Sequence, residues 1–302
     1  MKRLDFLKTT TAGLIGLSPL LSGRSLLKAL VNQPVPDVVW VENGEPMQLI
    51  RAAAAAYGGM GRFISKGDIV VVKPNIGWDR APEYAANTNP DLIAELVKLC
   101  LDAGARKVKV FDRSCDVALR CYRSSEIEAR AKEAGAEVQQ VREHRFKTIA
   151  LRKGERLKEW PIYQDYLEAD KVINVPVAKH HYLCRATLGL KNLMGVMGGS
   201  RGEIHNGFSI KLVDIASEIL PTLTIIDAYR ILTRNGPTGG NLADVKQPRS
   251  LIMSPCIVTA DYVATALFGL EPQQVGHIQE AVRRGLNRYD VANLKLEKIS
   301  LS

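Results

Sequence analysis

Residues 68–73 read DIVVVK. The run is continuous and apolar, and Gly67 and Pro74 bound it. A strand with one wet face alternates apolar and polar residues. A run with no polar face belongs to a strand buried on both sides. Downstream, a long polar loop spans Asn75 to Asn89. A helix is expected from Pro90 to Ala103, with proline at its start and Gly104 after its end. Lys107 to Asp112 (KVKVFD) reads as the next strand, Ser124 to Ala134 as a helix and Glu137 to Val141 as a strand. Upstream, Asp37 to Glu42 reads as a strand. Glu45 to Tyr57 reads as an Ala-rich helix that ends at Gly58-Gly59. Strand and helix alternate, which predicts an α/β fold with a mostly parallel sheet covered by helices on both faces.

The middle of the chain is less regular and reads as an irregular insert. Strands are expected at Asp170–Val175, Leu223–Asp227, Arg249–Ile257 and Leu294–Leu301. Helices are expected at Phe208–Leu220, Thr259–Leu267 and Val275–Arg284. The simplest organisation is a single α/β domain over 34–302, preceded by a segment of different character over 1–33. Residues 1–23 read MKRLDFLKTTTAGLIGLSPLLSG. A basic start leads into a mildly apolar stretch, the layout of an export signal. It is similar to a twin-arginine signal: Arg3, Phe6, Leu7 and Lys8 match, while Leu4 stands where a second arginine belongs. The expected location is the periplasm or cell envelope, or the cytoplasm if this segment is not a signal. Membrane contact is expected through this segment alone.

The net charge is +9. Part of it lies at the N-terminus, where Lys2, Arg3, Lys8, Arg24 and Lys28 face only Asp5. The remaining basic bias suits a small anionic ligand. Nucleic acid is not expected, because no basic stripe is interleaved with aromatic residues, which are only 6% of the chain. The five cysteines form no C-x-x-C pair, so neither a zinc knuckle nor an iron–sulfur cluster is expected within this chain. A Cys115–Cys121 disulfide and buried free thiols are both open.

In open parallel sheets, ligands bind beyond the C-terminal strand ends. Those ends carry Lys73 and Asn75, Asp112, Asn174 and Asp227. The densest polar stretch, Asn174 to His205, reads NVPVAKHHYLCRATLGLKNLMGVMGGSRGEIH. It holds Lys179, His180, His181, Arg185, Lys191, Arg201 and His205 against one acid, Glu203. Cations with so few carboxylate partners face solvent or an anion. The glycines in it let backbone N–H groups approach an anion, although the P-loop spacing is absent. After Asp227, Asn235-Gly236-Pro237 forms a sharp turn able to fold over a ligand. Candidate substrate-binding residues are therefore Lys73, Asn75, Asn174, Lys179, Lys191, Asn192 and Asn235. Candidate catalytic residues are His181, His205, Asp112 and Asp227. The histidines read as general acid/base groups, as ligands of a divalent metal with an aspartate, or as structural or rim groups. Adjacent residues of an extended strand point to opposite faces, so only one of His180 and His181 can serve.

With these segments in order, the chain resembles the family catalogued as domain of unknown function 362, from about Asp68 to the C-terminus. Lys73-Pro74-Asn75, Thr88-Asn89-Pro90, Asn174 to His181 and Thr187 to Gly195 carry the resemblance. So do His205, Asp227, Asn235-Gly236-Pro237 with Gly239-Gly240, Asp261, and Gly285-Leu286 with Asp290. Some members carry a ferredoxin-like module, so the resemblance implies a redox partner protein as one reading. Three functions remain open. One is an enzyme acting on a small anion at a Lys/His/Asp site. The second is an accessory redox or metal-binding protein that works with a separate iron–sulfur partner. The third is a non-catalytic solute-binding module.

Overall fold

Val70 and Val72 pack into one hydrophobic cluster and Val71 into another, so DIVVVK is buried on both faces as its composition requires. A computed structural model of the protein describes residues 35–302. The export-signal reading of 1–33 lies outside the described residues. Within Pro36–Ser302, which forms one compact unit, the first half runs β1 (Val38–Glu42), α1 (Pro46–Ala56), β2 (Ile69–Pro74), α2 (Pro90–Asp102), β3 (Lys107–Val110), α3 (Ala118–Ser124), α4 (Ile127–Glu133) and β4 (Glu137–Val138). Local chemistry sets the helix starts. The Asn89 side chain accepts from Asp91 and Leu92 N–H, and Pro90 occupies the first turn of α2. Glu45 and Gln48 form a capping box on α1.

The second half runs β5 (Phe146–Ala150), β6 (Glu159–Tyr163), α5 (Gln164–Leu167), β7 (Lys171–Val175), β8 (Val177–His181), β9 (Arg185–Thr187), α6 (Gly189–Asn192) and α7 (Phe208–Ala216). It ends with β10 (Leu223–Leu232), β11 (Val245–Lys246), β12 (Ser250–Ser254), α8 (Ile257–Ala264), α9 (Gly276–Arg283) and β13 (Leu296–Ser300). The large sheet has the order β13-β1-β12-β10-β7-β2-β3-β4. Every neighbouring pair on this path is parallel except the two that β12 makes, with β1 and with β10. The mostly parallel, helix-covered sheet is therefore present. Helices α1, α2 and α4 pack on one face, and α7 with the β5–β6 hairpin packs on the other.

Several elements differ from the expectation. The helix expected at Ser124–Ala134 is α4, which starts three residues later than expected, and Glu126 at φ 61° separates it from the preceding α3, which was not expected. The strand expected at Leu223–Asp227 continues to Leu232. The β5–β6 and β8–β9 hairpins lie inside the stretch expected to be irregular. Strand β8 continues the line of β7 after Pro176 and pairs with the far half of β10. The sheet is thereby extended past its own edge, and β8–β9 stands beyond the C-terminal ends of β2 and β7.

Candidate functional site

The β8–β9 hairpin, the ends of β2 and β3, α6 and the Arg201–His205 turn enclose a cavity of about 550 Å³. Register places the hairpin groups. Lys179 pairs directly with Thr187, and His181 with Arg185. Lys179, His181 and Thr187 therefore share one face, and all three line the cavity. His180 points the other way and its Nδ1 accepts from Gly236 N–H at 3.2 Å. Only one of the adjacent histidines reaches the site.

Lys179 is 1% exposed. Its Nζ donates to Asn75 Oδ1 at 2.9 Å and Ala86 O at 2.5 Å, and it has no carboxylate within ion-pair distance among the described residues. Burial, with the Lys191 and Lys73 charges adding to it, pulls this amine down to about 7. Asn75 Nδ2 donates to Asn192 Oδ1 at 3.0 Å, and Asn192 Nδ2 to Asn174 Oδ1 at 2.9 Å. Asn174 in turn donates to Gly189 O at 3.0 Å. A chain of three amides thus ties β2, α6 and β7 together and presents Asn75 Oδ1 to the lysine.

Beneath the floor, Lys73 is fully buried. Its Nζ donates to Asp112 Oδ1 and Pro74 O, both at 2.7 Å. The other Asp112 oxygen accepts from Ile76 N–H at 2.7 Å. Burial lowers the Lys73 amine and Asp112 opposes that shift. Gly195 is required here: a Cβ would lie 1.7 Å from Asp112 Oδ1 and 2.6 Å from Lys73 Nζ. Behind α6, the fully buried Asp261 carboxylate accepts from Gly189 N–H at 2.6 Å and Leu190 N–H at 2.8 Å. Burial pushes it up to about 7. These bonds fix the turn that carries Lys191 and Asn192.

The remaining wall is cationic. Lys191 Nζ lies 3.1 Å from Met194 Sδ and 5.5 Å above the Phe208 ring, and burial lowers its amine. Arg201 is held by the carbonyls of Arg113 at 2.8 Å and Ser114 at 2.9 Å. Neither has a carboxylate partner among the described residues. The carboxylate that does reach the cavity, Asp112, is neutralised by Lys73. The cavity is therefore a site of positive potential. His181 Nδ1 accepts from Leu183 N–H at 3.2 Å. Burial first, then the Lys191 and Lys179 charges, lower this imidazole to about 3. A neutral ring with Nδ1 accepting carries its proton on Nε2. His181 is thus a hydrogen-bond donor rather than a base at neutral pH.

Of the residues nominated from sequence, Asn75, Asp112, Lys179, His181, Lys191, Asn192 and His205 line the cavity. His205 is an exposed rim group, stacked 5.7 Å from Phe208. Lys73 and Asn174 lie beneath the floor. Asp227 and Asn235 are not brought to the cavity. Because β10 runs on to Leu232, Asp227 sits mid-strand. Its carboxylate accepts from Asn89 N–H at 2.7 Å and Tyr229 N–H at 3.0 Å, and burial pushes it up to about 6. Neither it nor Asp112 orients a histidine. Asn235 Nδ2 turns to Asp244 Oδ2 at 2.7 Å, and the turn it begins offers Pro237 and Thr238 to the cavity instead. Thr187 and Arg201 were not nominated. Hairpin pairing is the signal that finds Thr187, and the unbalanced charge of 174–205 is the signal for Arg201. The metal reading lacks a ligand set: no three His, Cys, Asp or Glu side chains gather to hold an ion among the described residues. All five cysteines are free, with Cys115 exposed at the cavity and Cys121 buried.

Residues 70–266 match the family described as Domain of unknown function (DUF362). The chain belongs to this family. The match runs from Val70 in β2 through the end of α8, and so contains every group that lines the DUF362 cavity. A thylakoid-associated protein of Synechocystis sp. is 27% identical over 254 residues, which are 82% of this chain and 77% of that protein. The apoprotein of lactate racemase from Thermoanaerobacterium thermosaccharolyticum aligns with a TM-score of 0.45 at 11% identity. That alignment covers 70% of this chain, which spans about half (53%) of the racemase.

Proposed function

We propose that this DUF362 domain is an enzyme that binds a small anionic substrate in the β8–β9 cavity and acts on it with the Lys179 amine. The observation that carries the reading is the environment of Lys179: buried and bonded only to neutral oxygens, so that burial pulls its amine from 10.5 down to about 7. A neutral amine in a dry site is a base or a nucleophile, whereas a paired ammonium is neither. Lys191 and Arg201 attract and hold the anion. His181 Nε2–H and the Thr187 hydroxyl donate to a substrate oxygen. This assigns the reactive role to a lysine and leaves the histidine as a donor.

Titration calorimetry at pH 7 with inorganic phosphate, acetate and pyruvate tests the reading. We expect at least one of these anions to bind, with affinity falling about tenfold, or 1.4 kcal/mol, in Lys191→Met and in Arg201→Met. Absence of binding by all three, or equal affinity in both variants, overturns it. An envelope location belongs to the same proposal. It is supported by the export-signal-like start of the chain and by the thylakoid association stated for the Synechocystis relative. Fusing residues 1–34 to a reporter active only after export tests it.

A further inference from the structure

We infer that Lys179 forms an imine with the carbonyl carbon of a small 2-oxo acid, a substrate whose carboxylate is held by Lys191 and Arg201. This deepens the proposed function and rests on it. The geometry aims the amine at the cavity. A neutral amine has two N–H bonds and one lone pair. Asn75 Oδ1 and Ala86 O accept the two N–H bonds, so the lone pair is what Lys179 has left to offer the cavity it lines. The amide chain through Asn192 and Asn174 holds Asn75 with its oxygen toward the amine. The amine is thereby oriented as well as uncharged.

The groups beside it fit a carbonyl oxygen. Thr187 lies directly across the hairpin from Lys179 and is 3% exposed, yet its hydroxyl has no hydrogen-bond partner among the described residues. A buried hydroxyl without a partner is costly, and a substrate oxygen in the cavity would satisfy it. His181, two residues further along the same face, presents Nε2–H as a second donor. Both are neutral. They can polarise a carbonyl without competing with Lys191 and Arg201 for the carboxylate.

The step balances without a further reactant. The Lys179 lone pair forms the C–N bond, and the carbonyl π pair moves to oxygen. One amine proton passes to that oxygen, giving a carbinolamine. A second leaves with the hydroxyl as water when the C–O bond breaks. The result is one imine and one water from one amine and one carbonyl. Taking one proton from solvent onto its nitrogen, the imine becomes an iminium, which acidifies the neighbouring C–H and is the form that a hydride donor reduces.

The test uses the full-length protein with glyoxylate, pyruvate and 2-oxobutyrate, trapped by cyanoborohydride at neutral pH and mapped by peptide mass spectrometry. The expected result is a reduced adduct on the Lys179 peptide, for pyruvate the carboxyethyl group, suppressed by excess acetate. It should vanish in Lys179→Met and form roughly a hundredfold more slowly in Thr187→Val. Mapping the wild type needs no variant to fold. If the 2-oxo acids displace acetate but leave no adduct, or if adducts fall only on other lysines, the imine is overturned and the anion site stands. If neither acetate nor any 2-oxo acid binds, the anion reading fails and takes the imine with it.

Discussion

The floor beneath the cavity and the hairpin wall beside it each bury a lysine, and they treat its charge in opposite ways. Lys73 is given Asp112 at 2.7 Å. Lys179 is given two amide oxygens. A buried pair of opposite charges costs little net free energy while both partners are present, and it punishes the loss of either. A buried amine with only neutral acceptors instead gives up its proton near neutrality. The first arrangement keeps strand ends in place, and the second is the one on which the proposed reactivity rests.

The largest expected effect breaks the floor. Gly195→Ala puts a methyl where Asp112 Oδ1 lies, and should cost roughly 3–5 kcal/mol in urea unfolding. Asp112→Leu alone should cost a similar roughly 3–5 kcal/mol, whereas Lys73→Met/Asp112→Leu should recover most of it. A double variant no more stable than the single one would mean that Lys73 is not held by its partner.

Next comes the wall. The Lys179 amine lies at about 7 when folded, against an ordinary value of 10.5. Between those pH values the unfolded chain binds more protons than the folded one, so stability rises with pH through this window. Lys179→Met removes that dependence. Its stability relative to wild type should therefore increase as pH falls from about 10 to 7, by up to about 1.4 kcal/mol per pH unit, while anion-dependent chemistry is lost. A variant whose relative stability is flat over that range would mean that the amine stays charged.

A smaller effect concerns acid. His181 is lowered from 6.5 to about 3, so its contribution is intact above pH 6.5 and is lost as pH falls toward 3. His277, fully buried in α9, is lowered to about 3 by burial as well. His181→Gln should remove about half of the stability slope shared by these two, up to about 1.4 kcal/mol per pH unit each, measured by thermal unfolding from pH 7 to 4. Smallest of all, His205→Ala should change stability by less than about 0.5 kcal/mol, because the ring is an exposed rim group.

The strands that form the sheet were readable for two reasons: DIVVVK and KVINV are largely apolar runs buried on both faces, while KVKV alternates exposed or half-buried lysines with buried valines. The wall was not readable as structure for a related reason. Strand β8 (VAKHH) gives alternate positions to Lys179 and His181, and that interrupts the apolar pattern by which a strand is recognised. The cations of 174–205 still marked where the site lies, since charges without partners are visible in composition. Asp227 misled because a strand-end aspartate is a sound cue only if the strand ends there. The five further residues of β10 are held by pairing with β8 and β11, a long-range effect. The Thr187 role depends on the register of a hairpin whose strands did not read as strands.

The hairpin tip carries a last consequence. Tyr182 and Leu183 are 72% and 57% exposed, and with His181 they border both this cavity and a second one against Leu267 and Phe268. The tip supports none of the three hydrophobic clusters. Exchanging its side chains therefore leaves the buried Lys179 amine and its floor untouched while reshaping the doorway. Relatives that keep Lys179 and vary the tip would share one chemistry and differ in their clientele.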